Sequence, residues 1–80
     1  MQLNILLFGI TKDIIGQSKL KYEMPDEANV QNLLDRLKAD YPGLKDLNAV
    51  MVAVNSEYSK KDQLLKESDE VALIPPVSGG

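Results

Sequence analysis

The segments that most constrain this fold lie at opposite ends of the 80-residue chain. Residues 3–8 and 71–74 are its most apolar strand-like segments. The last segment has no polar face, so it should be buried within the sheet and not lie at its edge. Hairpins between strands that are neighbours in sequence cannot bury both segments unless the two pair with each other. We therefore expect the first and last strands to lie side by side at the centre of a single sheet.

The sequence between these segments predicts one main helix and three more strands. The helix has an apolar stripe from Val30 to Tyr41, with Asn29 as its N-cap and Pro42-Gly43 as its end. Alternating patterns predict strands at residues 20–24 and 50–54 and a brief strand near Tyr58. Leu64 and Leu65 are expected to anchor the polar segment between Tyr58 and the last strand.

A short helical turn is expected at residues 12–15, capped by Thr11 and stopped by Gly16. The resulting order is strand, strand, helix, strand, short strand, strand. One helix covers one face of a small sheet. The expected fold is α+β, a ubiquitin-like β-grasp with a mixed sheet and one main helix packed on one face. The domain would span residues 1–75, and residues 76–80 would form a flexible Gly-Gly tail.

The composition excludes several functions. The chain has no Cys and no His, so it lacks a thiolate nucleophile and the usual general base. Nine basic and twelve acidic residues give a net charge of −3, which argues against nucleic-acid binding. The longest apolar run, residues 5–8, is too short to span a membrane, and no secretory signal is visible. We expect a cytoplasmic protein that binds no metal or cofactor and no membrane.

The chain ends in Pro75-Pro76-Val77-Ser78-Gly79-Gly80. Prolines favour an extended exit, and glycines fit a narrow channel because they have no side chains. With no Cys in the chain, the C-terminus is the position that can carry reactive sulfur, as a thiocarboxylate formed after adenylation. The alternative is an ordinary small-residue terminus, since chain ends are often disordered.

Three segments of the sequence resemble the small, sulfur-carrying subunit of molybdopterin synthase. They are residues 5–9, ILLFG; residues 52–55, VAVN; and above all residues 69–80, DEVALIPPVSGG. The resemblance implies a non-catalytic subunit whose Gly80, next to Gly79, is adenylated and then sulfurated. It implies an ATP-consuming adenylyltransferase of the ubiquitin-activating type and a large catalytic subunit as partners. Two sulfur atoms would be delivered to cyclic pyranopterin monophosphate, and the expected assembly is a heterotetramer.

Side-chain alternation also predicts a docking surface. If the helix covers the face of Leu3 and Val71, the open face carries Leu6, Phe8, Ala72 and Ile74. Tyr58 joins this surface by resemblance, and the tail would contact the partner through Pro75, Pro76, Val77 and Ser78. In the alternative, Phe8 and Ile74 are partly covered by the segment 12–15.

Other readings stay open. The same tail chemistry serves sulfur carriers for thiamine synthesis, cysteine synthesis or tRNA thiolation. A protein modifier would join Gly80 to a lysine, and a non-covalent interaction module would not need the glycines. Lys60 and Lys61 indicate a solvated turn more than a partner contact, and the acidic residues near Asp69 indicate a polar turn rather than a metal site.

Overall fold

The computed structural model describes residues 1–47 and 50–75. The boundary predicted for the tail, and the predictions for Pro76, Val77, Ser78, Gly79 and Gly80, lie outside the described residues. In chain order the elements are β1 (Gln2–Leu7), α1 (Gly9–Ile15), β2 (Lys19–Glu23), α2 (Val30–Asp40), a 3₁₀ helix (Pro42–Asp46), β3 (Met51–Val54), β4 (Glu57–Tyr58) and β5 (Glu70–Ile74).

The five strands form one mixed sheet in the order β2-β1-β5-β3-β4. Strands β1 and β5 are parallel neighbours, with Leu6 opposite Ala72 and Leu7 opposite Leu73. The other pairs are antiparallel. The predicted meeting of the first and last segments is confirmed, and so is the α+β class.

The core lies between the sheet and α2. Leu3, Ile5 and Leu7 of β1 are buried together with Val71 and Leu73 of β5. The apolar stripe of α2 covers them with Val30, Leu33, Leu34 and Leu37, all buried. Each buried side chain of this size contributes about 1.5–3 kcal/mol. Alternation places the even-numbered residues of β1 and β5 on the other side of the sheet. Because α2 packs on the first side, this other side is open.

Helix α2 begins and ends where the sequence predicts. The Asn29 side chain accepts a hydrogen bond from the Asn32 backbone N–H at 2.8 Å, and the Asn32 side chain accepts one from the Asn29 backbone N–H at 2.9 Å. This reciprocal cap satisfies two donors at the helix start. The helix ends before Pro42, and the chain continues as the 3₁₀ helix. The sequence pattern did not predict this 3₁₀ helix.

Two local predictions need correction. Helix α1 begins at Gly9 instead of Lys12, because Thr11 caps it from inside the first turn and not from before it. Of the two leucines expected to anchor the segment after Tyr58, Leu65 is buried, whereas Leu64 is 60% exposed. The Leu65 backbone N–H also bonds to the Ala28 carbonyl, and the carbonyls of Lys61 and Gln63 accept hydrogen bonds from Gln31 and Val30, so Leu65 supplies the buried side chain of a segment held by several backbone bonds.

Candidate functional site

The open side of the sheet carries a continuous row of apolar side chains. Cross-strand partners point to the same side, so Leu6 shares this face with Ala72, and Ala72 shares it with Ala53. The same pairing adds Met51 beside Ile74 and Tyr58 beside Ala53. Phe8 follows β1 in extended conformation, with φ −128° and ψ 150°, so the alternation continues to it. We call this set the open-face patch: Leu6, Phe8, Met51, Tyr58, Ala72 and Ile74.

The large side chains of the open-face patch are accessible. Phe8 and Met51 are each 50% exposed, and Tyr58 is 68% exposed. Leu6, Ala72 and Ile74 are half-buried by their neighbours in the sheet. The alternative in which the segment 12–15 partly covers Phe8 and Ile74 stays open, because Phe8 has half of its surface covered and Ile74 is half-buried. A contiguous apolar surface of this kind is typical of an interaction site.

The position of Phe8 is fixed by the start of α1. The Thr11 hydroxyl is fully buried; it accepts a hydrogen bond from the Phe8 N–H at 3.0 Å and donates one to the Phe8 carbonyl at 2.6 Å. The same hydroxyl lies 3.5 Å from the carbonyl oxygen of Leu73 in β5. The residue that carries the aromatic ring is thus tied to the last strand shortly before the chain leaves the sheet.

The chain leaves the sheet directly beside Phe8. Gly9 has a φ of +54°, and a Cβ atom placed on it would lie 3.2 Å from the Pro75 Cγ. Glycine tolerates this backbone conformation and the close approach of the proline ring. Pro75 is half-buried at this contact. The exit of the C-terminal segment and the open-face patch therefore share one end of the sheet.

A tight turn places Tyr58 on the patch. Asn55 and Ser56 both have positive φ, at 50° and 72°, as a two-residue hairpin turn of the primed type requires. The Asn55 side chain accepts a hydrogen bond from the Glu70 N–H at 3.0 Å and donates one to the Asp69 carboxylate at 3.0 Å. The short hairpin β3–β4 is therefore anchored to the start of β5, and Tyr58 lies on the open side.

Of the predicted site residues, the structure brings Phe8, Tyr58 and Ile74 to one face and places Pro75 beside them. Whether they contact a partner stays a prediction. The predicted site residues Pro76, Val77, Ser78, Gly79 and Gly80 lie outside the described residues. Met51 was missed as a patch residue. The signal for it was present, since Met51 alternates with Val50 and Val52, but its partner Ile74 follows only from the strand order.

Two kinds of feature are absent from the described residues. In ranges 1–47 and 50–75 no group of three or more Asp or Glu residues converges as a metal site would require. No helix within those ranges is long and apolar enough to cross a bilayer.

The strand order, the parallel pairing of the first and last strands and the single long helix define a ubiquitin-like β-grasp protein. Its open apolar face beside the exit of the C-terminal segment is suited to docking. The chain belongs to the ThiS family, whose model matches residues 5–80.

Individual relatives and structures agree with this family. The molybdopterin synthase sulfur carrier subunit of Dictyostelium discoideum is 43% identical over 83 residues, which cover 99% of this chain and 96% of the relative. A structure from Pyrococcus furiosus, assigned as molybdopterin converting factor subunit 1, has a TM-score of 0.89 and 26% identity. It covers 96% of this chain and 99% of its own.

Two further structures share the fold. The structure of SAMP1, the small archaeal modifier protein 1 of Haloferax volcanii, has a TM-score of 0.86 and 26% identity, with full coverage of both chains. A complex of subunits 1 and 2 of a molybdopterin-converting factor from Helicobacter pylori contains a chain with a TM-score of 0.68. At 23% identity, with full coverage of both chains, the likeness to that chain shows the fold alone.

Proposed function

We propose that this chain is the sulfur carrier subunit of a molybdopterin synthase and that Gly80 carries the sulfur. The observation that carries the proposal is the 43% identity, across nearly the whole chain, to a relative that bears this name. The sequence supports it independently, because it ends in Gly79-Gly80 and contains no Cys to hold transferable sulfur.

The chemistry takes place on the terminal carboxylate. That carboxylate attacks the α-phosphorus of ATP on an adenylyltransferase of the ubiquitin-activating type, and pyrophosphate leaves. Hydrosulfide, as the sulfur donor, then attacks the carbonyl carbon of the acyl adenylate, and AMP and a proton leave. The sulfur of the resulting thiocarboxylate attacks a carbon of cyclic pyranopterin monophosphate, from which an oxygen substituent leaves. Water then hydrolyses the acyl–sulfur bond, so that the sulfur stays on the pterin and Gly80 returns to the carboxylate. This chain supplies the carrier group and the docking surface, in the cytoplasm, and the ATP is consumed by its activating partner.

The open-face patch is the docking surface in this proposal, and the large catalytic subunit of the synthase is the partner. Phe8 and Ile74 lie at the end of the sheet from which the chain leaves. Residues 76–80 reach at most about 18 Å when fully extended. A partner seated on the patch would therefore have its reaction centre within about that distance of Pro75.

Intact-mass spectrometry tests the carrier role. The full chain is incubated with ATP, the adenylyltransferase and a sulfur source, and we expect one terminal oxygen to be replaced by sulfur. A variant that lacks Gly80 should show no mass change while its thermal unfolding is unaltered, because the core lies within residues 3–73. Sulfur uptake by the variant that lacks Gly80, or no uptake by the full chain, would refute the proposal.

A protein modifier is the second candidate, because SAMP1 shares the fold over the full length of both chains at 26% identity. A modifier forms an isopeptide between its terminal carboxyl and a lysine amine. In the same reaction supplied with candidate proteins, that outcome appears as higher-mass adducts that resist reduction. A thiocarboxylate that is consumed by pyranopterin, without such adducts, favours the synthase.

A further inference from the structure

Lysines border the open-face patch along strand β2. Lys19 lies opposite Leu6 and Lys21 opposite Asn4, so both side chains point to the same side of the sheet as the patch. Both are exposed, as is Lys12 in α1. Within residues 1–47 and 50–75 the ion pairs all involve the amino group of Met1, so none of these lysines has a carboxylate within 4.0 Å there. We call Lys12, Lys19 and Lys21 the lysine border.

Two open grooves connect the lysine border to the patch. Lys12 and Lys19 flank the first, of about 490 Å³, and its apolar lining includes Leu6 and Phe8. The second, of about 510 Å³, shares Leu6 and Lys19, and its lining extends to Lys21 and, at the side of β5, to Glu70. Positive charge therefore lies within the concave surface that a docking partner would fill.

The positive charge of the lysine border is opposite in sign to the net charge of the whole chain, which is −3. The carboxylates of the open side lie farther from the tail exit. Glu23 is opposite Gln2 at the far end, and Glu70 is separated from Lys21 by the Asn4 position of β1. Neighbouring strands are about 4.8 Å apart, so the backbones of Lys21 and Glu70 are about 10 Å apart, and the two side chains form no ion pair within 4.0 Å.

A simpler role accounts for only part of the border. Strand β2 is an edge strand, and lysines on an edge oppose unwanted pairing with other sheets. That role suits Lys19 and Lys21. It does not account for Lys12, which is in a helix yet lines the same groove as Lys19. What the three lysines share is the boundary of the patch.

We propose that the lysine border is the cationic edge of the docking site and that the synthase large subunit presents carboxylates where it meets β2. This inference rests on the proposed function and specifies the partner surface. Charges at the edge of an interface act mainly on association rate and salt dependence. The border would therefore steer the large subunit onto the patch and reject partners with basic side chains at this position.

The test compares two double variants with the same change in charge. Lys19→Glu/Lys21→Glu alters the border, and Lys45→Glu/Lys66→Glu alters exposed lysines outside it; each takes the net charge from −3 to −7, since each substitution changes it by −2. Association with the large subunit from the same organism is measured by stopped flow. At low salt we expect about tenfold slower association for the border variant and less than about twofold for the control.

The difference between the variants should vanish at about 1 M salt, where the Debye length falls to about 3 Å. Equal slowing of both double variants would mean that only net charge matters, and the inference would be wrong. If circular dichroism shows that Lys19→Glu/Lys21→Glu is misfolded, Lys19→Gln/Lys21→Gln replaces it, and the expected effect on association is smaller.

The proposed function can fail separately. If the wild-type chain binds and Phe8→Asp abolishes binding while the border variant associates normally, the patch stands and the lysine border falls. If the wild-type chain takes up sulfur but does not bind the large subunit, the choice of synthase is wrong and the border inference falls with it, while the carrier chemistry remains.

Discussion

Phe8 illustrates how a single position links local geometry to docking. Its backbone is extended, so the ring continues the alternation of β1, yet its N–H and carbonyl groups already belong to the cap of α1 through Thr11. The ring is consequently held on the open side without being buried. Half of its surface is still available to a partner.

We therefore predict that Phe8→Asp weakens binding to the large subunit at least tenfold while the chain stays folded. Burial of the half of Phe8 that is still exposed contributes about half of the 1.5–3 kcal/mol expected for a whole phenylalanine. Desolvation of the introduced carboxylate adds to that loss, and about 1.4 kcal/mol corresponds to a factor of ten. Isothermal titration calorimetry measures the affinity. Leu64→Asp is the matched control, since Leu64 is 60% exposed but outside the patch, and it should bind normally. An unchanged affinity for Phe8→Asp would remove this residue from the docking surface.

For individual residues, the alternating sequence pattern was sufficient to predict part of the open-face patch. Leu6, Phe8 and Ile74 could be assigned to the open side because a strand places every second residue on one face. Met51 could not be assigned to the patch, since its position beside Ile74 depends on a pairing across the sheet. Leu64 and Leu65 are chemically alike, and the backbone pairing of their segment with residues 28–31 decides which one is buried.

Helix α2 packs on one side of the sheet, and the other side is free. Its buried stripe covers the inner residues of β1 and β5, while its ends are fixed by local signals. The Asn29 cap, which marks the start of the helix, could be predicted from the sequence. Because α2 contacts only the inner side, its stability should be separable from binding on the open side.

Accordingly, Asn29→Ala should lower the free energy of unfolding by about 1 kcal/mol, the usual cost of losing such a cap. In a domain of this size that corresponds to a decrease in melting temperature of about 4–8 °C. Differential scanning calorimetry measures it, and Asn29→Ser, which keeps a capping oxygen, should lose much less. Large-subunit affinity should be unchanged; a loss of binding at temperatures where the variant is folded would contradict the separation of the two faces.

The elements that sequence patterns missed are those determined by tertiary contacts. Helix α1 begins three residues before the predicted turn, because the buried Thr11 hydroxyl serves Phe8 and lies near Leu73. The 3₁₀ helix after Pro42 packs against α1, where a Cβ atom on Gly43 would lie 3.0 Å from Ile14. The contact of Thr11 with Leu73 and that of Gly43 with Ile14 join distant parts of the chain, so neither has a signature within a short window of sequence.

At the scale of the whole molecule, the parallel pairing of β1 with β5 joins two functions. It brings the first strand, which supplies Phe8, next to the strand that leads into the tail. The distance from the docking surface to the start of the tail is therefore set by the fold. The distance from there to the terminal carboxyl is set by the number of residues that follow Pro75.

This division predicts that tail length matters for sulfur transfer and not for docking. Deleting Val77 and Ser78 shortens the maximal reach by about 7 Å, at about 3.3–3.6 Å per residue. A misplacement of about 1 Å can reduce a reaction about a hundredfold, so we expect single-turnover sulfur transfer to fall at least that far. Large-subunit affinity should change only a few-fold, because the patch is intact. Val77→Ala/Ser78→Ala keeps the length and should transfer normally; rapid transfer by the shortened chain would show that the fold does not set the reach.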